Sequence, residues 1–498
     1  MTTRTFLQAC RARVRACLRG KRITRFVKEV LVAVAFGIGL AFFVQLAVGE
    51  EFATRGYARL YAPLAGAIYG EHERAQTTVM LIDDATLADA GETWPARYAY
   101  HARLAKALAR YRPKAVFFDI YFSQARSDPS LPALAEALCA LRRQGTEVFL
   151  GAVPDAEGSD SLRAELEALA GKCFHKVGLQ YTPDSLDRLA WTYPLREQSE
   201  DGVLPNAALA IYEHAYAGRI PEEEGELALT WGLSTAAYGV RWVEPGAAES
   251  SRLYCRADMG WRDALLPAGA REKLAGNDKP LCVFHNTLYA GDLAAGSEEE
   301  EAVLKQLLQG RTVMVGTALA NSPDRVQSPL HGRIPGVYLH AMALDNLLTY
   351  GAGYPREIHL IGKIDSAHLW LYLFLALSVT LGTIGHRAYK VCHERKAPEG
   401  AAGGRFRLLG EVAREGAWKI GKALALPVAV GFAVFIGQYV FQIGLMTIID
   451  IVIFTLTAEW LELNEKFLGF LEKRKAGHAA ANEDQSNDGS KHEQHHTQ

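Results

Sequence analysis

The uncharged run VLVAVAFGIGLAFFVQLAV, Val30 to Val48, is the feature that most limits what this chain can become. It matches the roughly 17 to 25 apolar residues needed to cross a hydrocarbon core. Residues 1–29 before it carry Arg4, Arg11, Arg13, Arg15, Arg19, Lys21, Arg22, Arg25 and Lys28 against the single acid Glu29. Lys and Arg mark the inner side of a span, so residues 1–29 are expected in the cytoplasm and the chain beyond Gly49 is expected to be exported. A cleaved signal peptide is the alternative, since Ala47 and Gly49 are small, but the run exceeds the usual apolar core of about 7 to 15 residues. The reading adopted is an uncleaved anchor.

Three further spans are expected at 368–386, 423–441 and 443–461, the last two as a hairpin. The loop 387–422 holds Arg387, Lys390, Arg395, Lys396, Arg405, Arg407, Arg414, Lys419 and Lys422 against four glutamates, which places it inside as well. Two separate basic clusters therefore agree on one topology: a multi-pass membrane protein, both termini cytoplasmic and residues from about 50 to 367 exported. The tail 462–498 is polar and expected to be largely disordered. The net charge of -2 hides this distribution.

Cysteine usage fits the same map. Cys139, Cys173, Cys255 and Cys282 fall in the exported part, where bridges persist. Pairing by neighbours joins Cys139 to Cys173 and Cys255 to Cys282, although four cysteines allow three connectivities. Four buried thiols are the competing reading.

Within the exported part, short apolar runs alternate with helical patterns. VMLI precedes YHARLAKALARY, AVFFDIYF precedes LPALAEALCALRRQG, and EVFLGAV follows. That alternation predicts βαβ units on a mostly parallel sheet, an α/β domain carried by four transmembrane helices. RTVMVGTAL supplies another buried strand, and PGVYLHAMALDNLLTYG a helix whose Leu344, Leu347 and Leu348 mark the core face, while His340 and Asp345 can lie elsewhere. The region from Gly171 to about Pro280 reads as an elaboration of the same domain.

Several of these stretches resemble one family. VMLIDDATLADAGETWPARYAYHARLAKAL, RPKAVFFDIYFS with Asp128, and RTVMVGTALANSPDRVQSPLHGRIPGVYLHAMALDNLL resemble the type-2 CHASE domain, an extracytoplasmic sensory domain of bacterial receptors. HKVGLQYTPDSLDRLAWTYPL and PNAALAIYEHAYA look like its middle section, and one span followed by the domain and three more spans repeats its layout. The resemblance covers residues 51–352. It implies a sensor that feeds a cyclase or a kinase, usually on the same chain. This sequence departs from that pattern after its last expected span, so a separate membrane or cytoplasmic signalling partner is implied. The family has no well-established ligand.

The acids Asp83, Asp84 and Asp119 follow apolar strands, and ligands of open α/β sheets bind outside the carboxyl ends of the strands. With Asp128 and Asp324 they offer oxygen enough for calcium or magnesium, the one cofactor considered. The plainer reading is helix capping and turn fixing. Adjacent strand residues point to opposite faces, so Asp83 and Asp84 share a site only where the strand has ended. In WPAR, Trp94 offers an apolar body, Pro95 suits a first helical turn, and Arg97 reaches back to Asp83, Asp84 or Asp119 as a clasp or an anion gate. His101 is a candidate pH-sensitive group. The loop Asn321 to Gly336 contributes Asp324, Arg325 and His331.

Asp450 is an ionisable residue in an expected span, with Gln438 and Gln442 near it, set to hydrogen-bond across the hairpin or to a partner helix. No Ser-His-Asp elbow, zinc spacing or phosphate loop occurs. No catalytic residue is assigned and no nucleic-acid partner is expected. The leading expectation is a non-enzymatic inner-membrane sensor in the lipid bilayer. The alternatives are a structural or assembly subunit of a membrane complex and, behind it, an exported metal-dependent hydrolase; homo-oligomerisation stays open.

Overall fold

The computed structural model describes residues 50–123, 127–154, 160–199, 202–221, 225–238, 281–294, 296–357, 432 and 434–449. Nearly all of them belong to one of two compact units, the one spanning Arg55–Ile358 and Pro427–Ile448. Helix α1 (Glu50–Tyr69) leads into strand β1 (Thr77–Ile82), a short helix α2 (Asp84–Asp89), α3 (Tyr98–Ala109), β2 (Ala115–Phe118), α4 (Leu131–Arg143) and β3 (Glu147–Pro154). The middle supplies β4 (Asp160–Ser161), α5 (Ala164–Ala170), β5 (His175–Gly178), β6 (Thr192–Tyr193), β7 (Arg196–Ser199), β8 (Gly202–Pro205), α6 (Ala207–Ala215) and β9 (Leu227–Ala228). Then come β10 (Asn286–Tyr289), α7 (Glu298–Leu308), β11 (Thr312–Thr317), β12 (Arg325–Ser328), β13 (Gly332–Pro335) and α8 (Val337–Tyr350).

Seven strands form the main sheet in the order β10-β1-β11-β2-β3-β4, with β5 also on β3. Six run parallel, and β4 returns antiparallel against the end of β3. The expected α/β class is therefore present. Every residue of β1, β2 and β11 is buried. Apolar residues on both faces of a strand require cover on both faces, which is why these runs do not alternate with polar residues.

One face carries Met80, Ile82, Val116, Phe118, Val313 and Val315 under α3, α4 and α7. The leucines of α4 at 131, 134, 138 and 141 all point into that core. Each such buried side chain stabilises the fold by about 1.5–3 kcal/mol. The opposite face receives α8 and α6. Gly316 lets α8 settle close, because a Cβ there would meet the side chain of Val337.

Helix α8 corrects the sequence reading. Its residues Val337 to Leu347 are all buried, His340 and Asp345 included. A leucine stripe marks the most apolar face, whereas α8 lies between the sheet and α6 and has almost no solvent side. The elaboration expected from Gly171 onward is partly integral: β5 extends the main sheet, and Asp184 and Asp187 grip Arg55 and Arg59 of α1.

Among the described residues no helix is long and apolar enough to cross a membrane. The expected spans 30–48 and 368–386, most of 423–441 and 443–461, and the segments 1–29, 387–422 and 462–498 lie outside the described residues. Residues 434–439 and 445–449, within the expected hairpin, are helical.

Candidate functional site

Strands β1, β11 and β2 are neighbours, so their carboxyl ends bring Asp83, Asp84, Asp119 and the loop holding Asp324 to one edge. The structure sorts these acids into two kinds. Asp83 is the N-cap of α2 and accepts from Thr86 N at 2.9 Å. Asp84 accepts from Ala320 N at 2.8 Å and ties the loop after β11 to the end of β1. Asp128 accepts from Tyr98 N at 2.7 Å and from Ser130 N at 2.9 Å, starting α3 and α4 together. Burial pushes the Asp128 carboxyl up, but hydrogen bonds from Ser130 and Tyr98 and the charge of Arg97 leave it below the usual range. These three acids cap and fasten.

Arg97 does not reach back to Asp83, Asp84 or Asp119. Its guanidinium forks onto Glu92, with Nε at 3.0 Å and Nη2 at 2.9 Å, and Arg103 joins at 3.3 Å. The Glu92 side chain is only 3% exposed, and hydrogen bonds from Arg97, above all, hold its pKa down. Five residues of separation put Glu92 nearer than any strand-end acid, so the clasp closes inside the connection between α2 and α3. Pro95 is likewise not in a first helical turn: α3 begins at Tyr98 with Arg97 as its N-cap, and the Trp94–Pro95 peptide is cis. Trp94 is 38% exposed and meets His101 edge-on at 6.2 Å. His101 is buried among Tyr100, Phe122 and Trp94 rather than facing the edge.

Asp119 and Asp324 are of the second kind. Asp119 continues β2 by one residue, its amide donating to Val315 O at 2.8 Å, and its carboxyl faces Nε2 of His340 on α8 at 3.9 Å. Asp324 packs on Gly336, the N-cap of α8, where any Cβ would collide with its carboxylate. Burial, and then the charge of Asp324, raises Asp119 well above the usual carboxylate range. Burial raises Asp324 to about 6, against the lowering influence of Arg325. Arg325 Nη2 donates to Leu319 O at 3.1 Å. His331 lies elsewhere, its Nε2 against Gly232 O at 3.1 Å, where burial drops its pKa to about 4.

His340 and Tyr193 complete this edge, and the sequence reading missed both. Ala208 N donates to the Tyr193 hydroxyl at 3.3 Å, and the same hydroxyl is hydrogen-bonded to His340 Nδ1 at 2.8 Å. A neutral imidazole carries one N–H, so of its two nitrogens one donates and the other accepts, Nδ1 toward Tyr193 and Nε2 on the side of Asp119. Burial lowers the pKa of His340 to about 4, so the ring is neutral at pH 7. The one sequence signal for this is Gly336 immediately before α8, a residue that admits a carboxylate against the helix start.

Among the described residues no three His, Cys, Asp or Glu side chains are arranged to hold a metal ion. Cys139 and Cys173 are bonded to each other, and Cys282 is disulfide-bonded too; Cys255 lies outside the described residues. A separate cavity of about 310 Å³ between β5, α5 and α6 is lined by Glu167, Lys176, His175 and His214, the two imidazoles stacked at 4.0 Å. No strand-end acid lines it.

At its other end α8 meets the hairpin. Asn346 holds Thr230 through its amide and carbonyl at 2.9 and 3.0 Å, and Gln438 Nε2 donates to Thr230 Oγ1 at 3.2 Å. Tyr439 donates to Ile68 O at 2.9 Å and packs on Tyr350. Glu357 accepts from Thr447 N at 3.0 Å and from its hydroxyl at 2.7 Å. Gln438 thus bonds to the domain rather than across the hairpin. Gln442 is the turn residue at φ 55°, its carbonyl accepting from Arg356 N at 3.1 Å. Asp450 lies outside the described residues.

No curated protein and no solved structure matches the chain. The model of the CHASE2 domain matches residues 32–382, more than half of the sequence and the whole of the α/β domain. The chain belongs to the CHASE2 domain family, a family of sensory domains.

Proposed function

We propose that this protein is a bacterial inner-membrane sensor whose exported CHASE2 domain reads an envelope cue and passes it across the bilayer to a separate partner. The observation that carries the reading is the reach of α8. Asp119 and Asp324 face its first turn, while Asn346, through Thr230, and Tyr350 near its last turn meet the hairpin residues Gln438 and Tyr439. A helix of 14 residues extends about 21 Å, so an event at the sheet edge has a rigid path to the expected third and fourth spans. The basic loop 387–422 is the surface offered to a partner on the inner side.

The test is purification of the tagged full chain from native membranes after mild cross-linking. A kinase, cyclase or response regulator recovered in stoichiometric amount supports the reading. Stoichiometric recovery with structural subunits alone overturns it in favour of an assembly role. Labelling of single cysteines from either side of sealed vesicles tests the orientation: Gln327→Cys is expected to react from outside and Cys392 from inside.

A further inference from the structure

We propose that Asp119 and Asp324 together form a proton-binding site that sets the first turn of α8, so that the cue read at this edge is the proton. This rests on the sensory reading above and names its ligand.

Both carboxyls bear on the same turn of the same helix. Asp324 lies on Gly336, where the helix begins, and Asp119 faces His340, at the end of that first turn. The groups around the pair come from five places. Arg325 of β12 is the cation facing it, and its guanidinium also serves Leu319 O. His340 of α8 is neutral and fixed by Tyr193 of β6. Tyr121, beyond β2, and Tyr193 both feel the charge of Asp119, and Glu197 of β7 adds its own negative charge to both. Among the described residues named here, the negative charges outnumber the positive.

Asp324 lies against the start of the helix whose His340 faces Asp119, so the charge of Asp324 bears on Asp119 in a largely buried site. Two carboxylates so placed cannot both ionise at the usual cost, and one proton is retained until the pH is high enough to remove it. The upward displacements of Asp119 and Asp324 agree with this. The N-terminus of α8 favours one negative charge, but it does not relieve repulsion between two. With the proton bound, the loop at Asp324 and the strand end at Asp119 hold α8 between them. With it released, the carboxylates repel, and the first turn is the part that can move, because Gly336 has no side chain to anchor it. The far end of α8 is joined to the hairpin through Asn346, Thr230 and Gln438.

Hydrogen–deuterium exchange of the full chain in lipid nanodiscs between pH 5 and 8, each rate referred to the same peptide unfolded, tests the site. Peptides covering residues 332–345 are expected to lose about tenfold protection as pH rises through about 6, and peptides covering 434–448 to follow. The shift of Asp324 from 3.8 to about 6 caps its share near a hundredfold. Asp119→Asn and Asp324→Asn, which mimic the protonated acids, are each expected to abolish the step. No step in the wild type, or an unchanged step in both variants, overturns the proton site and leaves the sensor reading to the partner experiment. A step in α8 with a silent hairpin keeps the proton site and sinks the transmission path. Infrared spectra of the wild-type chain with labelled aspartate need no variant: a protonated carboxyl band lost between pH 5.5 and 7.5 is expected, and its absence overturns the proposal.

Discussion

Tyr69, the last residue of α1, donates its hydroxyl to the fully buried carboxylate of Asp345 on α8. The two lie 276 residues apart and join the helix that enters the domain to the helix that spans its sheet face. Thr349 Oγ1 also meets the Tyr69 hydroxyl at 3.0 Å, and His285 Nε2 faces the second Asp345 oxygen at 3.5 Å. Burial, and then the Asp345 charge, pushes the Tyr69 hydroxyl well above its ordinary pKa, so it stays a donor across the physiological range. Tyr69→Phe removes a donor from a buried acceptor, which costs about 1–3 kcal/mol. Thermal unfolding of the full chain in detergent is expected to show that loss, and in the Asp345→Asn background a smaller one. Equal losses in both backgrounds would mean that the two residues are not coupled.

The pair Asp119 and Asp324 also predicts how stability depends on pH. A carboxyl whose folded pKa is raised stabilises the fold fully below the ordinary aspartate value near 4 and loses that contribution as pH rises through the folded value, about 6 for Asp324. Asp324→Asn is therefore expected to raise the melting midpoint at pH 7.5 and to leave it nearly unchanged at pH 4.5. A variant less stable than wild type at pH 7.5 would show that the carboxylate is a needed hydrogen-bond acceptor.

Glu92 works in the opposite sense. Arg97 first, helped by Arg103, holds its pKa down, so its contribution is present above the ordinary glutamate value and is lost as pH falls through the lower folded value. Both arginines are more than half exposed, so water screens the pair. Glu92→Gln is expected to lower the melting midpoint by about 2–4 °C at pH 7, a size suited to a domain of this length, and its gap from wild type is expected to narrow as pH falls. A difference that does not narrow with falling pH would assign the effect to packing rather than charge.

The disulfide Cys139–Cys173 closes a loop of sequence separation 34 between α4 and the segment before β5. Loop closure in the unfolded chain gives it a stabilisation of about 3–4 kcal/mol. Reduction, or the Cys139→Ala and Cys173→Ala double variant, is expected to destabilise the chain by that amount in denaturant titration with little change in the native spectrum. A loss below about 1 kcal/mol would place the constraint in a part of the chain that is already ordered when unfolded.

Particular residues show what the sequence made legible. The runs at Val79 and Arg311 declared themselves as strands because their apolar residues are continuous, and that follows from burial on both faces. Pairing Cys139 with Cys173 followed from proximity along the chain. Partners set by three-dimensional closure were not legible. Arg97 finds Glu92 because the connection between α2 and α3 folds back, and no residue spacing announces that. His340 faces Asp119 because α8 lies on the sheet face that Phe117 occupies. The apolar run at 423–441 reads the same whether its end faces lipid or Thr230, because hydropathy records transfer out of water and not the identity of the neighbour.

Glu357 gives the hairpin dock its most direct test. Its carboxylate accepts from Thr447 N, from the Thr447 hydroxyl and, at 3.3 Å, from Met446 N, at the start of helical residues 445–449. A carboxylate on the first amides of a helix satisfies donors that otherwise have no intrahelical partner and also meets the positive end of the helix dipole. Because Glu357 follows the strand-like pairing of Arg356 with Ile443, one short segment fixes both halves of the hairpin turn to the domain. Replacing such a cap by alanine costs about 0.5–2 kcal/mol, and 1.4 kcal/mol corresponds to a factor of ten in an equilibrium. Glu357→Ala is therefore expected to raise exchange in peptides covering 434–448 by about twofold to thirtyfold, while the sheet peptides covering β1 and β11 stay protected. The same variant is expected to lower the yield of cross-linked partner without unfolding the domain. Unchanged hairpin exchange would mean that the dock is held by Gln438 and Tyr439 alone, and equal loosening of β1 would mean that the hairpin is part of the folding core and does not move independently of it.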